Sequence, residues 1–378
     1  MTAPGAESPV LIIGTERSGS NLLRLILESH SRITIPHPPH FLRYLAPLAE
    51  SYGDLADRRN RARVVDDAVG LLRRHIHPWP HPLRPGAVVA EPAGPGLFGI
   101  VAAVYEQHRA ATGKARWGCK STFMVDHVAE VLAVFPDARF VWLVRDPCDV
   151  ASSSKRAVFG PSHPYRMARL WRAQQDRARA ALDTWGAGVV HLLRYEDLVS
   201  RPEEEIGRLC DFLGEKPEPA MLHHHTTAAA RQTAALADAW HRTGQPVSTD
   251  RIGAGRRGLS ARERLWVDKV TGPVKQSLGY PVDPRAAAVP DPWPPAVALR
   301  SVWLRTRIEY RSMRKDGNHR ARLRRDAYVQ WLRLKALARR TARTVPIPDR
   351  ARPSHDPLPP ASTGNRAGEQ EADRQESL

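Results

Sequence analysis

Short apolar runs alternate with segments of helical periodicity through most of the chain. Residues 10–13 form an uninterrupted apolar run followed by a glycine, a pattern typical of a buried parallel strand. Residues 21–30 place Leu22, Leu25 and Ile26 on one helical face. The same criteria predict further strands at 33–35, 139–144 and 189–193, and helices at 55–75, 96–112, 125–135, 147–156, 164–184, 203–213 and 261–278. Strands that alternate with helices predict an α/β fold of three layers, in which a mainly parallel sheet has helices on both faces.

The composition changes near the end of the 378-residue chain. Residues 286–295 are rich in Pro, which predicts a linker between a domain at 8–285 and the segment that follows. Residues 296–345 combine many Arg with apolar positions at helical spacing, so we expect a basic helical extension there. Residues 346–378 turn to Pro, Ser, Glu and Gln, the composition of a disordered tail.

The net charge of +17 is concentrated in that extension. Residues 296–345 hold 15 Lys and Arg against 3 Asp and Glu, a net charge of +12. The high charge is therefore weak support for nucleic-acid binding, and we expect no specific nucleic acid partner. Three interpretations of the segment stay open: peripheral contact with an anionic membrane, contact with an acidic polymer, or a pair of solvated helices packed on the body.

Several features predict a cytoplasmic protein. No apolar run reaches 18 residues, so we expect no membrane-spanning helix. Residues 1–9 lack the basic start and apolar stretch of a secretory signal. The cysteines, Cys119, Cys148 and Cys210, are odd in number and far apart, which argues for a reducing compartment and against a zinc site. We assign no metal, and place any membrane contact at the inner face through residues 296–345.

Residues 14–22 lie between a predicted strand and a predicted helix and suit an anion. Small residues let the backbone close around an oxyanion, and the amides and dipole of the helix start favour negative charge. Gly14 and Gly19 have the spacing of G-x-x-x-x-G-K-[ST], which binds nucleoside triphosphates. However, Ser20 and Asn21 stand where that motif has Lys and Ser or Thr. A kinase-like P-loop transferase is therefore an alternative with less support.

Residues 15–23, TERSGSNLL, resemble the 5′-phosphosulfate-binding loop of the sulfotransferases, roughly [KR]-S-G-[ST]-x-L. The resemblance implies a P-loop-nucleotide-transferase-like fold and the donor 3′-phosphoadenylyl sulfate (PAPS). It places Arg17 next to the bridging oxygen of that donor. The remaining hydrogen-bond donors of the loop would come from Ser18, Gly19, Ser20, Asn21 and Leu22.

A second anion site follows the predicted strand at 139–144. Arg145 stands at the carboxyl end of that strand, where ligands of open α/β sheets bind, and its planar fork suits a phosphate monoester. Residues 145–153 resemble the family's 3′-phosphate-binding element, R-D-P-x-D-x-x-x-S. By that resemblance Arg145 and Ser153 are the two phosphate ligands, while Cys148 occupies a variable position.

Weaker matches extend the resemblance over residues 8–285. Residues 117–121, WGCKS, resemble an element that would place Lys120 near the transferred group. Residues 194–198, RYEDL, resemble the turn after the third strand and carry Tyr195 as a donor-binding candidate. Residues 248–259 resemble the late loop that closes over the 3′-phosphate, with three candidates, Arg251, Arg256 and Arg257.

The transfer also requires a general base beside the acceptor. Many relatives carry a Glu soon after the first helix or a His two residues after the Lys, and here that second position is Thr122. His37 and His40 are then the best candidates, because His titrates near neutrality, and Glu91 is a weaker one. The acceptor, a hydroxyl or amine of a carbohydrate, lipid or small metabolite, is not identified. A non-catalytic nucleic-acid- or membrane-binding protein is the alternative from another class.

Overall fold

A parallel sheet of five strands forms the centre of the protein. The computed structural model describes residues 8–344. Its strands are β1 Val10–Gly14, β2 Ile33–Thr34, β3 Arg116–Lys120, β4 Arg139–Val144 and β5 Val190–Arg194. They lie in the order β2-β3-β1-β4-β5, and every pair is parallel.

Helices connect the strands and continue beyond the last one. The α-helices are α1 Ser20–Glu28, α2 Phe41–Leu45, α3 Ala49–Tyr52, α4 Arg58–Arg73, α5 Pro85–Ala90, α6 Gly96–Thr112, α7 Val128–Val134, α8 Pro147–Ser154, α9 Pro164–Trp185, α10 Tyr195–Ser200, α11 Pro202–Leu213, α12 Pro219–Leu222, α13 Ala228–Leu236, α14 Ala254–Gly258, α15 Ala261–Ser277, α16 Pro294–Lys315 and α17 His319–Thr344. Short 3-10 segments lie at Ala46–Leu48, Thr122–His127, His224–Thr226, Asp238–Gly244 and Pro284–Ala288.

The alternation of side chains along the central strand divides the core into two layers. Val10 and Ile12 of β1 pack with apolar residues of α1 and α11. Leu11 and Ile13 point to the opposite face, which α6, α9 and α15 cover. This arrangement confirms the predicted three-layer α/β fold with helices on both faces of a parallel sheet.

Strand β3 is the element that the hydrophobic pattern missed, because its sequence, RWGCK, has no apolar run. Arg116 is nevertheless buried, and its guanidinium donates to the backbone oxygens of Ser8 (2.8 Å) and Leu213 (2.6 Å). Glu215 pairs with the same guanidinium at 3.3 Å. Partners distant in sequence therefore satisfy the buried charge of Arg116. A hydrophobic strand pattern would not predict a charged residue at this position.

The basic extension forms two helices, α16 and α17, that pack on the body. Leu332 of α17 lies in the same core as the sheet. Asp67 of α4 is buried and pairs with Lys335 at 2.7 Å and with Arg339 at 3.3 Å. Arg305 of α16 donates to the backbone oxygen of Val158 at 2.7 Å. Residues 345–378, which include the predicted tail, lie outside the described residues.

Within residues 8–344, no helix is both long enough and apolar enough to cross a membrane.

Candidate active site

The carboxyl ends of the parallel strands open into a cavity of about 350 Å³. This is the edge at which open α/β sheets bind ligands. Twelve residues predicted from the sequence line the cavity: Arg17, Gly19, Ser20, Asn21, Leu22, His37, His40, Lys120, Arg145, Ser153, Tyr195 and Arg251. Segments far apart in the chain therefore meet at one place.

The loop between β1 and α1 has an unusual backbone. Arg17 has φ 74 and Gly19 has φ 95, both in the left-handed region. Left-handed residues within such a turn are typical of the backbone concavities that bind anions, and this one leads into the N-terminus of α1. Ser18 is buried, and its Oγ has no hydrogen-bond partner among the described residues.

Gly19 is required by the close approach of Tyr195, the first residue of α10. A Cβ added at Gly19 would lie 2.5 Å from Cδ2 of the Tyr195 ring. The ring in turn lies under the guanidinium of Arg145, 4.2 Å from Cζ to the ring centroid. The loop after β1, the turn after β5 and the second predicted anion site are thus in direct contact.

Arg145 follows β4 and is buried at the floor of the cavity. Its Nη2 donates to the backbone oxygen of Arg251 at 2.6 Å and faces Asp149 Oδ2 at 3.4 Å. Its Nε has no partner among the described residues. The protein therefore holds the Arg145 guanidinium through Nη2, while its buried Nε–H remains available to a ligand.

Asp149 joins the late glycine- and arginine-rich loop to this site. Its carboxylate accepts hydrogen bonds from the backbone N–H groups of Gly253 at 2.9 Å and Gly255 at 2.6 Å. This turn brings Arg251 to the cavity. The aspartate thus orders the loop, whereas Arg145 remains beside the cavity.

Arg17 and Ser153 connect the two anion sites. The Arg17 Nε donates to Ser153 Oγ at 3.1 Å, and its Nη2 donates to the backbone oxygen of Ala239 at 3.3 Å. Burial lowers the pKa of Arg17 to about 10, so the side chain still carries its charge at neutral pH. The two sequence elements that would bind opposite ends of one donor therefore face a shared cavity.

A family model described as the sulfotransferase family matches residues 9–219. That span is more than half of the chain and contains both predicted anion sites. The chain belongs to the sulfotransferase family.

Individual relatives are distant. An uncharacterized Aquifex aeolicus protein is 23% identical over 240 residues, and the chain spans 28% of that protein's length. A Caenorhabditis briggsae protein named "Putative protein-tyrosine sulfotransferase" is 25% identical over 237 residues, which cover 59% of this chain and 71% of that protein. The sulfotransferase domain of the Synechococcus PCC 7002 olefin synthase has a similar fold, with a TM-score of 0.52, 21% identity, and coverage of 75% of this chain and 98% of that domain.

Two acidic residues of the family motifs, Asp146 and Glu196, support the site without lining the cavity. Glu196 of RYEDL accepts hydrogen bonds from the backbone N–H of Asp146 at 3.0 Å and from Tyr280 Oη at 2.7 Å. Asp146 caps the N-terminus of α8, where its side chain accepts from the N–H of Cys148 at 2.7 Å. These bonds fix the start of the helix that carries Ser153.

Lys120, at the end of β3, lies among other cations. Burial, and then the charge of Arg24, lower the pKa of Lys120 to about 8. At pH 7 it is still mostly protonated. Among the candidate sulfotransferase residues it is thus the cation whose charge is most sensitive to mild alkali.

His40 lies in a strained conformation beside Lys120. Among residues 8–344, Arg17 and His40 are the only non-glycine residues with positive φ, 74 and 56 respectively. Such strain concentrates at functional sites, where the surroundings hold it. The His40 Nδ1 is 3.2 Å from Ser121 Oγ, and burial together with Lys120 keeps the pKa of His40 well below its usual value.

His37 is more deeply buried, within a group of aromatic rings. Its Nδ1 is 3.0 Å from His75 Nε2, and its ring lies 5.3 Å from that of Trp240. Its Nε2 has no partner among the described residues. Burial, followed by the charge of His75, lowers the pKa of His37 well below its usual value, so it is neutral at pH 7.

Several lining residues were not predicted from the sequence: Glu16, Arg43, Trp240, Arg311 and Arg325. Glu16 adjoins Arg17, so the loop itself could have indicated it. The other four come from segments with no family motif, and the extension supplies two of them. No local pattern distinguishes them from ordinary surface or core residues.

Other predicted residues do not line the cavity. Arg256 and Arg257 are exposed on α14, where the Arg257 Nη2 donates to the backbone oxygen of Asp250 at 3.3 Å. Ser18 is buried behind the loop, and Glu91 is exposed after α5. Among the described residues, no group of three or more His, Cys, Asp or Glu is arranged to hold a metal ion.

Proposed function

We propose that this protein transfers the sulfuryl group of PAPS to a hydroxyl or amine of an acceptor. The observation that supports this most is the meeting of the two anion sites in one cavity, with Arg17 Nε 3.1 Å from Ser153 Oγ. A donor with phosphate groups at both ends of one nucleoside needs two such sites facing a shared space.

The residues present fit that donor. The first loop offers backbone amides and the Arg17 cation to a phosphosulfate, while Arg145 and Ser153 suit a 3′-phosphate. Arg145 lines the cavity and its Nε is buried without a partner among the described residues, so a phosphate oxygen would satisfy it. The Tyr195 ring lies so close to Gly19 that no side chain fits at this position, which leaves a loop of bare backbone beside the cavity.

PAPS would supply an activated sulfuryl group. The oxygen or nitrogen of the acceptor forms a bond to the sulfur while the bond between the sulfur and the bridging oxygen breaks. The electron pair of that bond passes to the bridging oxygen, which leaves as part of 3′-phosphoadenosine 5′-phosphate. Arg17 and Lys120 are fixed cations at the cavity wall and would stabilise the charge that develops there. The acceptor's proton must go to a base.

We propose His40 as that base, with His37 as the second candidate. His40 contacts Ser121, and the charge of Lys120 helps to lower its pKa. It is therefore close to the point at which we propose that the sulfuryl group is transferred. If its Nδ1–H donates to Ser121 Oγ, its Nε2 holds the free electron pair that accepts a proton. Its lowered pKa keeps the ring neutral at pH 7, so that Nε2 can accept a proton, and makes it a weaker base than a free histidine.

The base assignment is tested by single substitutions once an acceptor is found. We expect His40→Ala to lower turnover by about 10²–10⁴-fold, the range of a lost general base, and His37→Ala to lower it less. Affinity for 3′-phosphoadenosine 5′-phosphate should be unchanged in both variants. Turnover within about threefold of wild type in both would show that neither histidine is the base.

The acceptor region combines aromatic and basic side chains. Tyr44, Phe159 and Trp240 line the cavity together with Arg43 and Arg325. We propose an acceptor that stacks on or packs against rings, and we leave its class open among carbohydrates, lipids and small metabolites.

The donor is tested by calorimetric titration with 3′-phosphoadenosine 5′-phosphate, followed by an acceptor screen with labelled PAPS. We expect saturable binding that Arg145→Ala weakens strongly, and weaker binding of adenosine 5′-phosphate, which lacks the 3′-phosphate. Tight ATP–Mg²⁺ binding without a 3′-phosphate preference would favour the kinase-like alternative. No saturable nucleotide binding, with steeply salt-dependent DNA or RNA binding, would favour the non-catalytic one.

We also propose residues 8–285 as the sulfotransferase domain, since the family model and every motif fall within them. The linker at 286–295, the cytoplasmic location and the contact of 296–345 with a membrane or an acidic polymer stay predictions. The two arginines that the extension places at the cavity, Arg311 and Arg325, link its role to that of the domain.

A further inference from the structure

Helix α16 has two apolar faces, and only one of them is covered. Its exposed apolar side chains are Leu299, Val302, Trp303, Tyr310 and Met313, each at least 56% exposed. At about 100° per residue these five positions fall within an arc of about 100°. We call this exposed surface the outer face of α16.

The covered face lies on the opposite side of the same helix. Val297, Leu304 and Ile308 are buried, and by the helical repeat they lie about 180° from the centre of the outer face. A helix that only packs on a domain needs one apolar face, with polar residues opposite. The second apolar face is therefore unexplained by the fold.

Arginines accompany the aromatic rings of the outer face. The Arg307 guanidinium lies over the Trp303 ring at 5.5 Å, and that of Arg314 over the Tyr310 ring at 5.6 Å. Both arginines are exposed, and within residues 8–344 neither has a carboxylate at ion-pair distance. The outer face thus combines apolar area with positive charge that the protein does not neutralise.

We propose that the outer face of α16 docks on an anionic lipid surface. Exposed Trp and Leu beside unpaired Arg is the composition of helices that lie in a membrane interface, where rings enter the headgroup region and cations meet lipid phosphates. This proposal does not depend on the sulfotransferase activity.

Other occupants fit less well. A second copy docked on the same face would bring two positively charged surfaces together, with charges that repel within the screening length of about 8 Å at physiological salt. An acidic polysaccharide would satisfy the arginines but would leave the apolar side chains in water. A lipid surface satisfies both.

Docking would place the cavity beside the membrane. Arg311, between Tyr310 and Met313 in the sequence, lines the cavity and pairs with Asp238. The same short stretch of α16 therefore borders both the lipid surface and the site. An acceptor carried in the membrane would be presented within reach of the cavity mouth.

The proposal is tested with the full chain and sedimenting vesicles, either of phosphatidylcholine alone or with about 30% phosphatidylglycerol. We expect binding to the anionic vesicles only. The double variant Leu299→Ser/Trp303→Ser should lower the partition coefficient by about tenfold or more, as should Arg307→Glu/Arg314→Glu. Vesicles with brominated acyl chains should quench fluorescence in the wild type, and quenching should decrease in Trp303→Phe.

The matched control is Trp185→Ser. Trp185 is 43% exposed and lies at the far end of α9, about 30 Å along that helix from the residues beside α16. It should bind vesicles like the wild type. Unchanged thermal unfolding and unchanged affinity for 3′-phosphoadenosine 5′-phosphate would show that each variant is folded. The nucleotide affinity also tests the proposed function independently of vesicle binding.

Four outcomes would overturn the proposal. The first is absence of binding to anionic vesicles, and the second is a loss of vesicle binding in Trp185→Ser equal to that in the double variants. The third is vesicle binding that Leu299→Ser/Trp303→Ser leaves unchanged, because binding would then be electrostatic attraction without apolar docking. The fourth is a dimer in solution that Leu299→Ser/Trp303→Ser dissociates, which would identify a second copy as the occupant.

Discussion

Replacing Gly19 by Ala should damage donor binding more than it damages the fold. Gly19 has φ 95, and an added Cβ would lie 2.5 Å and 2.8 Å from two carbons of the Tyr195 ring. Carbon atoms in contact are normally about 3.5–4.0 Å apart, so the ring must move by about 1 Å. The movement disturbs the stack of the ring with Arg145, whose Cζ now lies 4.2 Å from the ring centroid.

Two costs follow from these distances. The left-handed backbone costs an alanine about 1–2 kcal/mol. Loss of the Arg145–Tyr195 stack costs about 0.5–2 kcal/mol, and the freed guanidinium is less well oriented for the 3′-phosphate. We expect affinity for 3′-phosphoadenosine 5′-phosphate to fall by about tenfold or more, because the bound loop must keep the conformation that the Cβ opposes.

Calorimetric titration and thermal unfolding measure these costs separately. Gly113→Ala is the matched control, because Gly113 has φ 71 at the end of α6 and nothing within 4 Å of its Cβ position. It should lower the melting temperature through backbone strain alone and leave nucleotide affinity unchanged. Nucleotide affinity of Gly19→Ala within about threefold of wild type, or an equal loss of affinity in Gly113→Ala, would contradict this prediction.

Three further predictions concern charge. Affinity for 3′-phosphoadenosine 5′-phosphate should fall as pH rises through about 8, because Lys120 is charged below its lowered pKa and neutral above it. Lys120→Arg should remove this fall in affinity. A pH-independent affinity in the wild type would contradict the assignment of Lys120 to the donor site. Arg145→Lys should weaken binding of that nucleotide by about tenfold or more but leave adenosine 5′-phosphate unaffected, since only the planar fork is lost; equal losses would argue against a 3′-phosphate ligand. Asp67→Asn should lower the free energy of unfolding in urea by about 2 kcal/mol, which is less than for a fully buried pair because Lys335 is partly exposed. The control Glu50→Gln removes a surface pair in which Glu50 is 86% exposed, and it should change the free energy of unfolding by less than about 0.5 kcal/mol. Equal effects of the two variants would mean that α17 is not anchored through Asp67.

The sequence by itself determined the elements whose cause is local. Strands β1 and β4 are continuous apolar runs, and their burial on both faces of the sheet allows little else. The loop that carries Arg17 follows β1 and Arg145 follows β4, so the parallel direction of neighbouring strands places both at one edge. Their convergence on one cavity was therefore predictable from order and spacing.

Tertiary packing brings the other, remote residues to the same cavity. Strand β3 can hold Arg116 in the core because the backbone oxygens of Ser8 and Leu213, both about 100 residues away in the chain, accept its hydrogen bonds, and no pattern within RWGCK signals this. Arg325 lies at the cavity because α17 packs on α4 through Asp67, more than 250 residues earlier in the chain. Arg256 and Arg257 match a family loop, yet the turn held by Asp149 directs only Arg251 to the cavity.

The difference has one physical reason. A strand, a helix start or a phosphate-binding turn depends on residues adjacent in sequence, whereas cavity walls depend on which distant surfaces the core brings together. Apolar periodicity carries the first kind of information. The second arises from packing and from the pairing of buried charges, which is expressed only when the whole chain is folded.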